Sequence, residues 1–321
     1  MRQPCWDVPV LESKVCRARR PASRTPSSTA RWNTDRMFAE SVVTVSVEPV
    51  VELFVAQSAG PADRTLLVIH GGPDWDHTYL REPLDQLTGR RLLMPDLRGC
   101  GRSTTGLADD QYTPDAAVRD LIALLDLLDI PQAEVLGFSY GGALAQRLAL
   151  TAPDRVRRLI VASSSVLPVP STAFDGWPER EERLAAGAAT WSDPDLFGPR
   201  LVRAAAMAEA PANVWRSDSL PAYLRRLGRV RFTAEWLRPQ RAGALPAARP
   251  ENAAHRLAAL GIPLLLLHGR HDMIFPAALA VRAAAMIPSA RAVVLDDAGH
   301  MAHIDQPHAW LTAVTDFLTC P

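Results

Sequence analysis

Lysine is nearly missing from this chain of 321 residues, where Lys14 stands alone. A Schiff-base or acylated lysine is therefore excluded anywhere beyond the leader, and positive charge is carried by arginine. The 35 basic and 35 acidic residues cancel, so no global field recruits nucleic acid, an anionic membrane surface or a strongly charged substrate, and any charge selectivity must be local. Cysteine is scarce: Cys5, Cys16, Cys100 and Cys320 show no CxxC or paired spacing, which argues against a disulfide framework or a zinc site. No stretch approaches the roughly 20 apolar residues that span a bilayer. Arg19-Arg20 is followed by Pro-Ala-Ser-Arg-Thr-Pro rather than an apolar run, so a secretory signal is not formed and a cytoplasmic location is expected. Neither a metal nor a cofactor is called for.

What is present is an ample apolar content, 48% of the chain, enough for a substantial core. Residues 1–36 are rich in Arg, Ser, Thr and Pro without periodicity and are expected to form a disordered leader. Ser41–Val47 then alternates with period two, and Val50–Val55 follows Glu48-Pro49, the pattern of an antiparallel hairpin. Six short, almost continuously apolar runs come next: 66–69, 91–94, 134–137, 159–162, 263–267 and 292–295. Strands buried on both faces read this way. Amphipathic stretches at 115–128, 141–151, 276–286 and 306–318 lie between them. The alternation predicts an α/β fold with a mainly parallel sheet flanked by helices. From 168 to 250 the rhythm stops; prolines, Ala/Arg segments and Trp177, Trp191, Trp215 and Trp236 take over. This interval is expected to be a helical lid inserted into a core of 37–167 and 251–321.

Gly137-Phe138-Ser139-Tyr140-Gly141 falls where a buried strand gives way to an alanine-rich helix. The five-residue string alone occurs by chance; its position gives it meaning. A serine on so sharp a turn needs small residues two before and two after it, and its hydroxyl projects from the C-terminal sheet edge beside a helix N-terminus. Such a hydroxyl is a weak nucleophile until a histidine takes its proton and a carboxylate fixes that histidine. Asp272, after the run 263–267, and His300, after the run 292–295, reach the same edge in the chain order Ser, Asp, His. His268, His271, His303, Asp296 and Asp297 are rivals; Gly299 favours His300 by letting the backbone turn the imidazole inward.

His70-Gly71-Gly72-Pro73 follows the run 66–69, where a loop can aim a backbone N–H at a developing oxyanion. Gly72 is the first choice as donor and Tyr140, directly after Ser139, the second. His70 is expected to tie this loop down. Asp96 and Arg98 of Asp-Leu-Arg-Gly-Cys-Gly-Arg-Ser are expected to fix theirs, and Cys100 to be unreactive.

With HGGP, DLRGCGRS, GFSYGG, GRHD and DAGH in this order, the chain resembles the α/β-hydrolase superfamily from about Val42 to Leu318. Its first two motifs look like the proline iminopeptidase branch, whose members remove an N-terminal residue from short peptides. That resemblance implies triad roles for Ser139, Asp272 and His300 and an oxyanion hole at Gly72 and Tyr140. The branch usually continues HGGP with glycine and precedes its nucleophile with two glycines, whereas Asp74-Trp75 and Gly-Phe-Ser-Tyr stand here.

The expected function is hydrolysis, through an acyl-enzyme, of a small ester, lactone, thioester or amide. An aminopeptidase, a carbon–carbon bond hydrolase and a non-hydrolytic ligand-binding or cyclising protein are the alternatives. Candidate substrate contacts are Asp74, Trp75, Phe138, Trp177, Trp215 and Glu235. A peptidase needs an acidic lid residue for the substrate's ammonium group, and Glu179, Glu181, Glu182, Glu209 and Glu235 are available.

Overall fold

The computed structural model describes residues 38–320; the leader expected over 1–36 lies outside them. Eight strands form one sheet in the order β1-β2-β4-β3-β5-β6-β7-β8, with β1 Phe38–Val47, β2 Val50–Ser58, β3 Thr65–Ile69 and β4 Arg91–Pro95. The rest are β5 Ala133–Phe138, β6 Val156–Ala162, β7 Leu264–Gly269 and β8 Ala290–Leu295. The β1–β2 hairpin and the β2–β4 pair are antiparallel; every pair from β4 to β8 is parallel.

The uninterrupted apolar runs follow from burial on both sides. Leu67 and Ile69 of β3 face one core layer with Val135, Val161 and Leu266, while Leu66 and Val68 face the other with Leu136, Ile160 and Leu265. Alternate side chains of each strand thus enter opposite layers. β8 differs from the expectation of a doubly buried strand: it is only half-buried, because it pairs with β7 alone at the sheet edge.

Helices close both faces. The helix Pro114–Leu127 starts where Thr113 accepts from the Ala116 N–H and Pro114 fills the first helical position, an N-terminus with a side-chain cap and a pre-set φ. Between β6 and β7 there is no strand. The interval instead carries the helices Pro178–Trp191, Gly198–Ala208, Ala210–Asn213, Leu220–Leu227 and Leu237–Arg241, followed by Ala253–Leu260 just before β7. Val202, Ala206, Tyr223 and Phe232 of this insertion join the layer that contains Phe138 and the C-terminal helix Pro307–Thr319. The insertion is thereby packed over the C-terminal edge of the sheet. Among the described residues no helix is long and apolar enough to cross a membrane.

Candidate active site

Ser139 stands between the end of β5 and the helix Tyr140–Thr151, at φ 53° and ψ −119°. Positive φ is costly for a residue with a Cβ, and the flanking glycines show what imposes it. A Cβ on Gly137 would lie 2.2 Å from the Gly141 carbonyl oxygen, and one on Gly141 would lie 2.2 Å from the Ile69 oxygen. Strand, turn and helix are pressed together until only hydrogen fits at these positions. Gly71 meets the same turn from the other side, where a Cβ would stand 2.9 Å from that of Ser139.

His300 Nε2 lies 3.1 Å from Ser139 Oγ, and His300 Nδ1 lies 3.0 and 3.1 Å from the two carboxylate oxygens of Asp272. A carboxylate at Nδ1 assigns the proton to that nitrogen and leaves Nε2 as acceptor for the hydroxyl. Asp272 is buried, and its Oδ1 accepts the N–H groups of Ile274 and Phe275 at 2.8 and 2.9 Å. Burial opposes its charge, but His300, and after it the buried His268 with Nε2 3.4 Å from Asp272 Oδ2, outweigh that and hold the carboxyl well below the usual range. The rings of Phe138 and Phe275 lie 5.3 and 6.0 Å from that of His300 and confine the imidazole.

The loop bearing His300 is held on three sides. Ser163 Oγ donates to the His300 carbonyl at 2.7 Å. On the two flanking residues, Gly299 N–H donates to Asp305 Oδ2 at 2.8 Å, and Met301 N–H donates to the Asn213 carbonyl. Asp305 also accepts from Trp215 and Arg216 N–H at 2.8 and 3.2 Å, so one carboxylate joins the insertion to the histidine loop. Gly299 departs from the expectation: its φ is not positive. Glycine is needed there because a Cβ would sit 2.8 Å from Trp215 N, so it serves close approach rather than backbone freedom.

His70 connects two loops, its Nδ1 placed 2.7 Å from the Gly71 carbonyl while Nε2 accepts the Leu97 N–H at 3.0 Å. Gly71 N–H in turn donates to the Tyr79 hydroxyl at 2.8 Å. Gly72, at φ +112°, borders the cavity in front of Ser139. Tyr140 is the first residue of its helix, so its N–H has no intrahelical acceptor; its ring packs edge-on to Trp236. In the next loop Arg98 grips Asp120 with two bonds of 2.6 Å, and Asp96 accepts from His77 and the Arg102 N–H. Cys100 is fully buried, and burial pushes its thiol well up.

A cavity of about 240 Å³ opens on Ser139 and His300. Of the residues expected to touch substrate, Trp75 and Phe138 line it, as does Asp74. The carboxylate of Asp74, however, is committed elsewhere. It accepts from Thr233 Oγ1 at 3.1 Å, Trp236 N–H at 3.0 Å and Leu237 N–H at 2.9 Å, and so anchors the insertion. Trp177, Trp215 and Glu235 do not line the cavity. Trp215 stacks on His271 with ring centroids 3.7 Å apart, Trp177 packs near Phe174, and Glu235 accepts from the Tyr112 hydroxyl and Gly106 N–H. The insertion's actual contributions are Trp191, Val202, Ala206, Glu209, Asn213, Leu237 and Gln240. Among the five acidic residues named from sequence, Glu209 alone reaches the cavity; it accepts from Trp191 Nε1 at 2.6 Å, and burial raises its carboxyl. No arginine or lysine is among the lining residues.

The sequence pattern of a family described as "alpha/beta hydrolase fold" matches residues 64–307. A 2-hydroxymuconate semialdehyde hydrolase of Pseudomonas sp. (strain CF600) is 32% identical over 79% of this chain and 86% of its own. A proline iminopeptidase of Lactiplantibacillus plantarum is 30% identical, covering 79% of this chain and 91% of that protein. Among solved structures, a proline iminopeptidase-related protein from Thermus thermophilus superposes with a TM-score of 0.65 at 25% identity, over 88% of this chain and 97% of that one.

Proposed function

Because the chain belongs to the alpha/beta-hydrolase family, we propose that it is a serine hydrolase that cleaves a small ester, lactone, thioester or amide through an acyl-enzyme on Ser139. The observation that carries this reading is the 3.1 Å approach of His300 Nε2 to Ser139 Oγ, backed by a buried carboxylate at Nδ1. In the proposed reaction His300 takes the hydroxyl proton as Oγ attacks the carbonyl carbon, and Asp272 stabilises the imidazolium. The N–H groups of Gly72 and Tyr140 receive the oxyanion, a contribution of about 10²–10³ in rate for each such donor in comparable sites. His300 then protonates the leaving group. A water molecule repeats the sequence on the acyl-enzyme, with Ser139 as leaving group.

The cavity's charges narrow the acyl part of the substrate. Among the described residues, Glu209, Asp74 and His300 are its only ionisable groups of acid or base type other than Tyr79, so none of them is a fixed cation to pair with an anion beside the scissile bond. A 2-hydroxymuconate semialdehyde carries a carboxylate, and the cavity supplies no counter-ion for it. A neutral acyl group fits.

Glu209 favours a second reading, an aminopeptidase on short peptides, in which this carboxylate receives the substrate's ammonium group and is held ionised by it. The two readings separate with short acyl nitrophenyl esters against prolyl and alanyl arylamides. Fluorophosphonate labelling tests both: the wild-type protein should be labelled at Ser139 and the Ser139→Ala protein should not. Undiminished ester turnover by Ser139→Ala would overturn the proposal.

A further inference from the structure

A second cleft of about 700 Å³ lies beside the first, with Leu237 forming part of both walls. Among the described residues, four arginines, Arg102, Arg231, Arg238 and Arg241, line it with a single carboxylate, Glu235. Two of these are compensated: Arg102 pairs with Glu40 at 3.1 Å, and Arg238 with Asp109 at 2.8 Å and Glu235 at 3.2 Å. Arg231 and Arg241 form no ion pair among the described residues, and the one side-chain hydrogen bond of either is from Arg241 to the Trp191 carbonyl at 3.3 Å. The cleft therefore carries an excess of positive charge in a chain whose net charge is zero. Phe232, Ala234 and Leu237 add an apolar strip beside it.

The catalytic cavity and this cleft thus divide the charge between them. The first has no cation among its lining residues, and the second has guanidinium groups to spare on the far side of Leu237. We infer that the cleft holds the phosphate-bearing tail of an acyl ester or thioester whose neutral acyl end reaches Ser139. The inference rests on the serine hydrolase reading above. Phosphate suits the pattern because it presents several acceptor oxygens to more than one guanidinium, which binds such oxygens in a fork. Gln240 borders the catalytic cavity and Arg241, its neighbour on the same short helix, borders the cleft. Leu237 is thus the residue that a substrate reaching from one to the other has to cross. No bond changes in the cleft; it sets which carrier of the acyl group binds.

The test pairs a binding measurement with a kinetic one. Inorganic pyrophosphate titrated into the wild-type protein by calorimetry should bind in a salt-sensitive manner, and Arg231→Ala/Arg241→Ala should weaken that binding about tenfold or more. Succinate at matched ionic strength should bind far less well. In turnover, the butyryl thioester of coenzyme A should show a higher kcat/KM than that of N-acetylcysteamine, which lacks phosphate, and the double variant should lower this ratio by about tenfold. Pyrophosphate binding equally to both proteins, succinate binding as tightly as pyrophosphate, or a ratio indifferent to the two substitutions would each overturn the inference. Were Ser139 not labelled by fluorophosphonate, the hydrolase reading would fall, and the pyrophosphate titration would still decide whether the cleft binds anions.

Discussion

The backbone N–H of Met301 donates to the carbonyl of Asn213 at 2.7 Å. The residue that follows the proposed base is therefore bonded directly to the helical insertion. Asp305 makes the matching connection on the other side, bridging Gly299 to Trp215 and Arg216. The imidazole is placed by the core and by the insertion together, so disturbances of the insertion should reach the chemistry.

Asp305→Ala tests that coupling. It strands the Gly299 and Trp215 N–H groups, each unsatisfied buried donor costing about 1–3 kcal/mol. A fall in melting temperature of roughly 5–10 °C is expected. Because Asp305 positions His300 without touching substrate, kcat with a short acyl ester should fall while KM changes little. A melt that shifts with kcat intact would show that the clamp serves stability alone.

Asp272→Asn keeps the shape but replaces the acceptor at His300 Nδ1 with a group able to donate, which favours the wrong tautomer. In a comparable triad such an exchange costs about 10⁴ in kcat; a loss of about 10³–10⁴ is expected in ester hydrolysis, with the thermal melt within a few degrees of the parent. Wild-type turnover by Asp272→Asn would remove this residue from the mechanism.

Glycine substitutions should separate close approach from mere flexibility. Gly141→Ala places a methyl 2.2 Å from the Ile69 carbonyl oxygen and 2.4 Å from that of His70, neither of which can retreat within the sheet. Destabilisation of about 3 kcal/mol or more is expected, with loss of fluorophosphonate labelling. Gly228→Ala meets nothing closer than 3.4 Å and has helical φ, so it should be neutral or slightly stabilising. Urea denaturation of the two proteins is the measurement.

The pH dependence of stability follows from buried histidines. Burial, and then the Arg226 guanidinium, pushes His303 well below its ordinary value, and burial lowers His70 as well. The folded state then refuses protons that the unfolded state accepts, so stability is full above about pH 7 and falls as pH drops below about 6.5, by about 1.4 kcal/mol per pH unit for one such histidine. Asp272, whose carboxyl is depressed, contributes stability that is present above about pH 4 and is lost on further acidification. His303→Leu should flatten the slope between pH 5 and 6.5, a window given by the ordinary histidine value of about 6.5. An unchanged slope in pH-resolved denaturation would assign it to other groups.

Much of this arrangement is legible in the sequence. Strand runs such as Leu264–Leu267 announce themselves because burial on both faces removes polar residues, and the serine turn does so because Gly137 meets the backbone of nearby Gly141, a contact set by the turn itself. The insertion is legible only as helical. Which helix face turns inward depends on packing against the sheet edge, so Trp215 and Glu235 are as plausible from sequence as Trp191 and Glu209. Nothing local separates a tryptophan stacked on His271 from one that walls a cavity. Asp74 escapes a sequence reading for a related reason: its position beside the cavity is encoded by HGGP, whereas its partners, the N–H groups of Trp236 and Leu237, lie about 160 residues on. A buried carboxylate near a strand end has no sequence mark that tells a tie from a ligand contact.

The tie at Asp74 bears on how such proteins can be recombined. Together with Asp305 it places the fastenings of the insertion on the core segments, outside the interval from β6 to β7 that would be exchanged as a cassette. A chimera that receives a foreign insertion keeps two acidic sockets shaped for the original one, and the newcomer must offer N–H groups at the same two places or leave Asp74 buried and unanswered and Asp305 with the Gly299 N–H alone.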